Sequence, residues 1–154
     1  MIKKHFYSWQ DIETMCTNIV KQMYADNYKP DYIVGITRGG NIPATIISNM
    51  LDIPCEAIKV SFRNDDRVEK NHWLSTLDKK ILIVDDINDT GATFNWIWKD
   101  WDLSKKDHKV KFAVLTDNMG STFEEVNYSV HEVNKTEKDV WLVYPWENVG
   151  DYDV

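Results

Sequence analysis

The segment that most limits the fold is the apolar run 81–84 together with the residues that follow it. The whole segment, residues 81–93, reads ILIVDDINDTGAT. A continuous apolar run of this kind predicts a strand buried on both faces, as in a parallel sheet covered by helices. Two acids, Asp85 and Asp86, end the run, and a polar turn then opens a predicted helix over 90–101. These features together predict an α/β protein.

The remaining sequence also alternates between helical and extended patterns. In one segment apolar residues recur at helical spacing, and a second apolar segment has a proline in what would be its first helical turn. Five other segments are short apolar runs typical of strands. The predicted helices cover 9–23 and 42–51, and the further predicted strands cover 32–37, 55–62, 110–115, 126–130 and 140–144. No Gly-, Ser- or Pro-rich linker divides residues 1–154, so we expect a single domain.

Charge and composition exclude several classes of function. The chain has 18 basic and 25 acidic residues and a net charge of −7. Such a surface repels phosphate backbones, so we expect no nucleic-acid partner, and any phosphate site must be built locally. Cys16 and Cys55 lie among apolar residues and favour buried free thiols in a reducing compartment. The absence of a long apolar run or an obvious leader predicts a soluble, cytoplasmic protein without membrane contact.

The segment 81–93 has the composition of a phosphate-binding loop. The first turn of a helix offers unpaired N–H groups and the positive end of its dipole, and Gly91 leaves room for a ligand there. The hydroxyls of Thr90 and Thr93 add donors. Asp85 and Asp86 could simply end a strand before an ordinary turn, but their order before this loop favours a ribose phosphate. They would then accept hydrogen bonds from sugar hydroxyls or help to hold a divalent metal.

A second glycine-containing loop, Thr37-Arg38-Gly39-Gly40, follows the predicted strand 32–37. Its glycines allow close approach of the backbone to a ligand or unusual backbone angles, and Arg38 carries a forked donor suited to phosphate oxygens. Alone, this loop is typical of an ordinary turn with a surface arginine. Beside the loop at 81–93, it indicates a second phosphate-binding element.

Residues 81–93 resemble the phosphoribosyl-diphosphate signature of type I phosphoribosyltransferases. The order of the motifs, ending in WLVYPWE at 141–147, resembles the xanthine-guanine (purine) members of that family. The resemblance implies a central, mostly parallel sheet flanked by helices, with a small hood completed by residues from about 117 to 150. It also implies a Mg²⁺-dependent transfer of phosphoribosyl from 5-phosphoribosyl-1-diphosphate (PRPP) to a nucleobase with release of diphosphate.

The resemblance assigns a role to each motif residue. Asp85 and Asp86 would bind the ribose hydroxyls, with Asp86 also contacting Mg²⁺, and Asp89 would be the general base beside purine N7. The 5′-phosphate would be held by Asp89, Thr90, Gly91, Ala92 and Thr93. The diphosphate would be held by Arg38, Gly39 and Gly40, with a non-proline cis peptide near Thr37–Arg38. Trp141 would stack on the base, and the backbone of Leu142 would meet its 2-position edge.

One departure leaves the identity of the base open. Purine members place a lysine after the strand that follows the phosphate loop, but Asp117 stands there. A carboxylate only accepts hydrogen bonds, so Asp117 would favour an exocyclic amine unless it points elsewhere while Asn118 donates. A transferase for adenine or a pyrimidine, or a sensor of PRPP without turnover, therefore stays open as an alternative. A Rossmann dinucleotide enzyme is excluded because G-x-G-x-x-G is missing.

Two further expectations concern the surroundings of the site. The polar stretch 63–76, beside Ser61 and Phe62, is a candidate lid that excludes water during the reaction. We also expect a homodimer or a homotetramer.

Overall fold

The computed structural model describes residues 3–60 and 78–147. The described chain contains seven strands and three helices. The strands are β1 (Lys3–Phe6), β2 (Tyr32–Thr37), β3 (Cys55–Lys59), β4 (Ile81–Asn88), β5 (Val110–Asn118), β6 (His131–Val133) and β7 (Val140–Val143). The helices are α1 (Trp9–Ala25), α2 (Asn41–Leu51) and α3 (Ala92–Asp100). The predicted lid at 63–76, with Ser61 and Phe62, lies outside the described residues.

The main sheet has five strands in the order β3-β2-β4-β5-β6, and every pairing in it is parallel. Strands β1 and β7 form a separate two-stranded parallel sheet, which we call the hood. The predicted α/β fold with a mostly parallel sheet is confirmed. Because β2 connects through α2 to β3 on one side and has β4 on its other side, strand order reverses between β2 and β4, where ligands bind in open α/β sheets.

Helices cover both faces of the main sheet, so successive residues of the central strands enter different cores. On β4, Leu82 and Val84 join the cluster formed with α1 and α2, whereas Ile81 and Ile83 join the cluster formed with α3. All four of these side chains are buried. This is why residues 81–84 form a continuous apolar run without alternation.

Ser8 caps the N-terminus of α1: its side chain accepts from the backbone N–H of Asp11, and the Asp11 carboxylate accepts from the backbone N–H of Ser8. Cys16 is buried and free, and Cys55 is free and half-buried. No helix in the described parts of the chain is long and apolar enough to cross a membrane.

The predicted strand at 126–130 is wrong. The segment makes backbone hydrogen bonds to β5, but they form only an isolated bridge between Ala113 and Tyr128 and not a strand. The side chain of Asn127 occupies one ladder position by accepting from the backbone N–H of Phe112 at 2.9 Å. The last strand of the sheet is instead β6. Strand β1 was not predicted, since its sequence KKHF is exposed throughout and has no apolar pattern.

Candidate active site

The loop after β2 packs directly against the acidic end of β4. A Cβ on Gly39 would lie 2.2 Å from Oδ2 of Asp86, and one on Gly40 would lie 2.6 Å from the carbonyl oxygen of Val84 and 2.8 Å from Oδ1 of Asp85. Neither glycine has a positive φ. The two glycines are therefore required here by close packing against the carboxylates, and not by unusual backbone angles.

The peptide bond Thr37–Arg38 is cis, as expected. The hydroxyl of Thr37 donates to the carbonyl of Ile58 at 3.1 Å, and the N–H of Gly40 donates to the carbonyl of Ile36 at 2.8 Å. These bonds fix both ends of the loop. The Arg38 side chain between them is exposed to solvent.

Asp85 is buried, and Asp86 next to it is half-buried. Oδ1 of Asp85 accepts from the N–H of Asp86, and Oδ1 of Asp86 accepts from the N–H of Ile87, both at 2.8 Å. Burial raises the pKa of Asp85 well above its usual range, and the neighbouring charge of Asp86 raises it further. Burial also raises the pKa of Asp86. A buried acid beside a half-buried one is poorly stabilised when both are ionised, so the pair is suited to a ligand that brings positive charge or hydroxyl donors.

The loop from Asp89 to Thr93 borders a cavity of about 210 Å³ that also reaches Asp85 and Asp86. The N-cap of α3 is Gly91, which makes no side-chain cap. From the other side, the N–H and hydroxyl of Thr122 both donate to the carbonyl of Thr90, at 3.0 and 2.9 Å. Thr122 thus holds the loop through the carbonyl of Thr90. The N-terminus of α3, with its unpaired N–H groups, remains at the border of the cavity.

Gly91 has a φ of +93° and no space for a side chain. A Cβ there would lie 2.6 Å from the backbone nitrogen of Phe123 and 2.7 Å from the hydroxyl oxygens of Ser121 and Thr122. We expect Gly91→Ala to lower the free energy of unfolding by about 1–3 kcal/mol, because it adds backbone strain to a steric clash. Urea unfolding measures this loss, and PRPP affinity should fall with it.

Gly120→Ala is the matched control for Gly91→Ala. The nearest atom to a Cβ on Gly120 would be Cγ2 of Thr136 at 3.0 Å, the end of a side chain that can move, and the side chain of Asn118 would lie at ordinary contact distance. The control should therefore change stability much less. Equal losses in the two variants would contradict the assigned packing of Gly91.

Asp89 is linked to β5 and to the segment after β6. Its Oδ1 accepts from Nδ2 of Asn118 at 3.2 Å, its backbone carbonyl accepts from the same nitrogen at 2.9 Å, and its Oδ2 forms an ion pair with Lys135 at 3.1 Å. The carboxylate remains 43% exposed, so a ligand can reach it. Lys135 was not singled out from the sequence, because the fold alone brings the segment 134–139 to the phosphate loop.

Asp117 lies at the end of β5, next to Asn88 on β4. Its Oδ1 accepts from Nδ2 of Asn88 at 2.9 Å, and burial raises its pKa. Asn118 donates hydrogen bonds, as one of the alternatives from the sequence expected, but the acceptor is Asp89. The side chain of Asp117 is thus engaged with the scaffold of the phosphate loop.

The hood carries the two remaining predicted residues. Trp141 on β7 is 57% exposed, so one face of the indole is available for stacking, whereas Leu142 beside it is buried. Tyr144 follows β7, and its hydroxyl contacts Oγ1 of Thr116 at 3.1 Å and the backbone carbonyl of Asp86 at 3.2 Å. This hydroxyl joins the hood to the acidic end of β4.

Aromatic residues complete the attachment of the hood. Tyr144 stacks on Tyr7 and Trp146, with ring centroids 5.0 and 4.8 Å apart. The Tyr7 hydroxyl contacts Oγ1 of Thr116 at 3.0 Å and also Nδ1 of His131. Sequence reasoning missed Tyr7 and Tyr144, although the spacing of Tyr144 after the exposed Trp141 could have indicated a buried anchor.

The carboxylates at the end of β4 fit a magnesium ion. Across residues 3–60 and 78–147, no three His, Cys, Asp or Glu side chains are grouped closely enough to hold a metal by themselves. Mg²⁺ is commonly held by one or two carboxylates with water and substrate phosphates as its other ligands. Asp85 and Asp86, beside a phosphate-sized cavity, supply that donor set.

The fold and this site together define a phosphoribosyltransferase. The phosphoribosyl transferase domain matches residues 3–146, so the chain belongs to that family, and the resemblance carried by 81–93 and 141–147 is confirmed. Xanthine phosphoribosyltransferase 1 of Saccharomyces cerevisiae is 28% identical, with 94% of this chain and 90% of the yeast protein aligned. Xanthine-guanine phosphoribosyltransferase of Idiomarina loihiensis is also 28% identical, with 94% and 88% aligned. The crystal structure of a purine phosphoribosyltransferase from Pyrococcus horikoshii superposes with a TM-score of 0.74 at 27% identity, covering 96% of this chain and 95% of the other.

Proposed function

We propose that the protein transfers phosphoribosyl from PRPP to N9 of a 6-oxopurine and releases diphosphate. The observation that carries the proposal is one cavity bordered by the β4 carboxylates, Asp89 and the N-terminus of α3, with the β2 loop packed against the same carboxylates. The relatives named as xanthine and xanthine-guanine phosphoribosyltransferases support a purine as the acceptor.

Each part of the site has a chemical role in that reaction. The N-terminus of α3 and the hydroxyls of Thr90 and Thr93 bind the 5′-phosphate. Asp85 and Asp86 accept hydrogen bonds from the ribose hydroxyls. Arg38 contacts the diphosphate, whose negative charge increases as its bond to C1 of the ribose breaks.

When bound at Asp86, Mg²⁺ would supply positive charge for the diphosphate oxygens. The base nitrogen is the nucleophile, so no protein nucleophile is needed. Its bond to C1 forms as the bond from C1 to the diphosphate oxygen breaks, and Asp89 takes the proton that the base loses at N7. Trp141 provides a flat apolar surface for the purine, worth about 1–3 kcal/mol for a stacked base.

The position of Asp117 favours an oxopurine over adenine. A carboxylate facing the 6-position would select an exocyclic amine, but Asp117 is held by Asn88. The ammonium of Lys135 is instead in contact with Asp89. The site therefore presents a donor, as an oxo group requires.

The reaction is tested with a panel of guanine, xanthine, hypoxanthine, adenine, uracil and orotate, each with PRPP and Mg²⁺. We expect diphosphate release with one or more of the three oxopurines and formation of the matching nucleoside monophosphate. Release only with adenine or a pyrimidine would overturn the choice of base. Binding of PRPP by calorimetry without release from any base would show a sensor and not an enzyme.

A further inference from the structure

We infer that Lys135 donates a hydrogen bond to the 6-oxo group of the purine and so determines the choice of base. This inference rests on the proposed purine transfer. It places the cation of the base site on the segment 134–139 between β6 and β7, and not at the end of β5, where Asp117 stands.

The first support is the position of the ammonium relative to the general base. Nζ of Lys135 lies 3.1 Å from Oδ2 of Asp89, the group that takes the N7 proton. N7 and the 6-oxo group lie side by side on the same edge of a purine. A donor within hydrogen-bond distance of the carboxylate that faces N7 is therefore next to the place of the oxo group.

The second support is that the backbone of Lys135 is held in place. Its N–H donates to Oδ1 of Asn118 at 3.2 Å, the residue that also donates to Asp89. The turn continues through Asn134, whose carbonyl accepts from the N–H of Lys138 at 2.9 Å and whose Oδ1 accepts from the N–H of Thr136 at 3.2 Å. Asn118 thus fixes the spacing between the acceptor of the N7 proton and the donor to the oxo group.

The third support is the small free-energy cost of moving the Lys135 ammonium from Asp89 to a ligand. The side chains of Lys135 and Asp89 are 27% and 43% exposed, and ion pairs with this much solvent contribute about 0–1 kcal/mol. An incoming oxo group can therefore take the ammonium at little cost. Among the ion pairs of the described residues, this is the only one that includes a predicted site residue.

The test compares Lys135→Met with wild type on hypoxanthine and on 6-mercaptopurine, whose sulfur is a weak acceptor. We expect kcat/KM with hypoxanthine to fall about 10- to 100-fold, as for the loss of a hydrogen bond from a charged donor. The preference for hypoxanthine over 6-mercaptopurine should shrink by a similar factor. Lys135→Arg, which keeps a cation, should restore part of the kcat/KM with hypoxanthine and part of the preference for it. PRPP affinity should stay unchanged in both Lys135 variants.

Lys138→Met is the matched control, since Lys138 is an exposed lysine of the same segment and the ion pair with Asp89 is made by Lys135. It should behave as wild type. Equal losses on the two bases in Lys135→Met would show that Lys135 only positions Asp89 and would overturn the inference, as would unchanged kinetics. If wild type transfers to none of guanine, xanthine and hypoxanthine, the proposed function fails as well, whereas an active wild type with an unaffected Lys135→Met variant overturns this inference alone.

Discussion

Replacing Asp89 with asparagine is expected to lower kcat with the best purine about 10²- to 10⁴-fold, the usual contribution of a general base. Asparagine has the same size and can still accept from Nδ2 of Asn118, but it cannot take a proton from the base. The lost ion pair with Lys135 is partly exposed and contributes about 0–1 kcal/mol to stability. We therefore expect a large kinetic loss in a protein that is folded normally.

Steady-state kinetics together with calorimetric titration of PRPP distinguish this role from a binding role. The Kd for PRPP should change little, because the amide still occupies the same place at the edge of the phosphate loop. Asp107→Asn is the matched control: Asp107 is exposed, and an amide oxygen can replace the carboxylate in accepting from the N–H of Lys109. A kcat for Asp89→Asn within a few-fold of the control would show that the base is deprotonated by another group.

The structural features that sequence reasoning placed correctly share one property: each is encoded within one short segment. The apolar run before Asp85 fixes a central strand, and the polar turn after it fixes a helix start at the same sheet edge. Because parallel strands end at one edge, the order of residues in 81–93 is enough to predict the cavity beside them. The loop after β2 is also a short segment, and its cis peptide at Thr37–Arg38 was expected from the family resemblance.

The residues that were missed act through contacts that are distant in sequence. Lys135 reaches Asp89 across 46 positions, and the hydroxyl of Tyr144 reaches the backbone of Asp86 across 58. No periodicity or spacing in the sequence indicates that two such distant residues are in contact. The role of Gly39 was inferred as access for a ligand, whereas its neighbour in the fold is the carboxylate of Asp86.

Replacing Asp85 with asparagine is expected to stabilise the fold and to weaken PRPP binding at the same time. Burial and the charge of Asp86 raise the pKa of Asp85, so the folded state retains this proton at a pH where the unfolded chain has lost it. Stability therefore falls as the pH rises from the usual aspartate pKa to the raised one, and above that pH the buried charge costs its full amount. Asparagine avoids this cost and can still accept from the N–H of Asp86. We expect a gain of about 1–2 kcal/mol near neutral pH, typical of relieving a strained functional site.

The pH dependence identifies the cause of that gain. Urea unfolding should show the gain of Asp85→Asn near neutral pH and its disappearance as the pH falls towards the usual aspartate pKa, where the wild-type carboxyl is protonated in both states. Asp78→Asn provides a control of opposite sign: Lys109 lowers the pKa of this exposed residue, so its loss should not stabilise the protein. Calorimetry should show PRPP affinity weakened about 10- to 100-fold in Asp85→Asn, since the sugar hydroxyls lose a charged acceptor. A variant less stable than wild type near neutral pH would mean that Asp85 is paired in the free protein, and unchanged PRPP affinity would remove it from the ribose site.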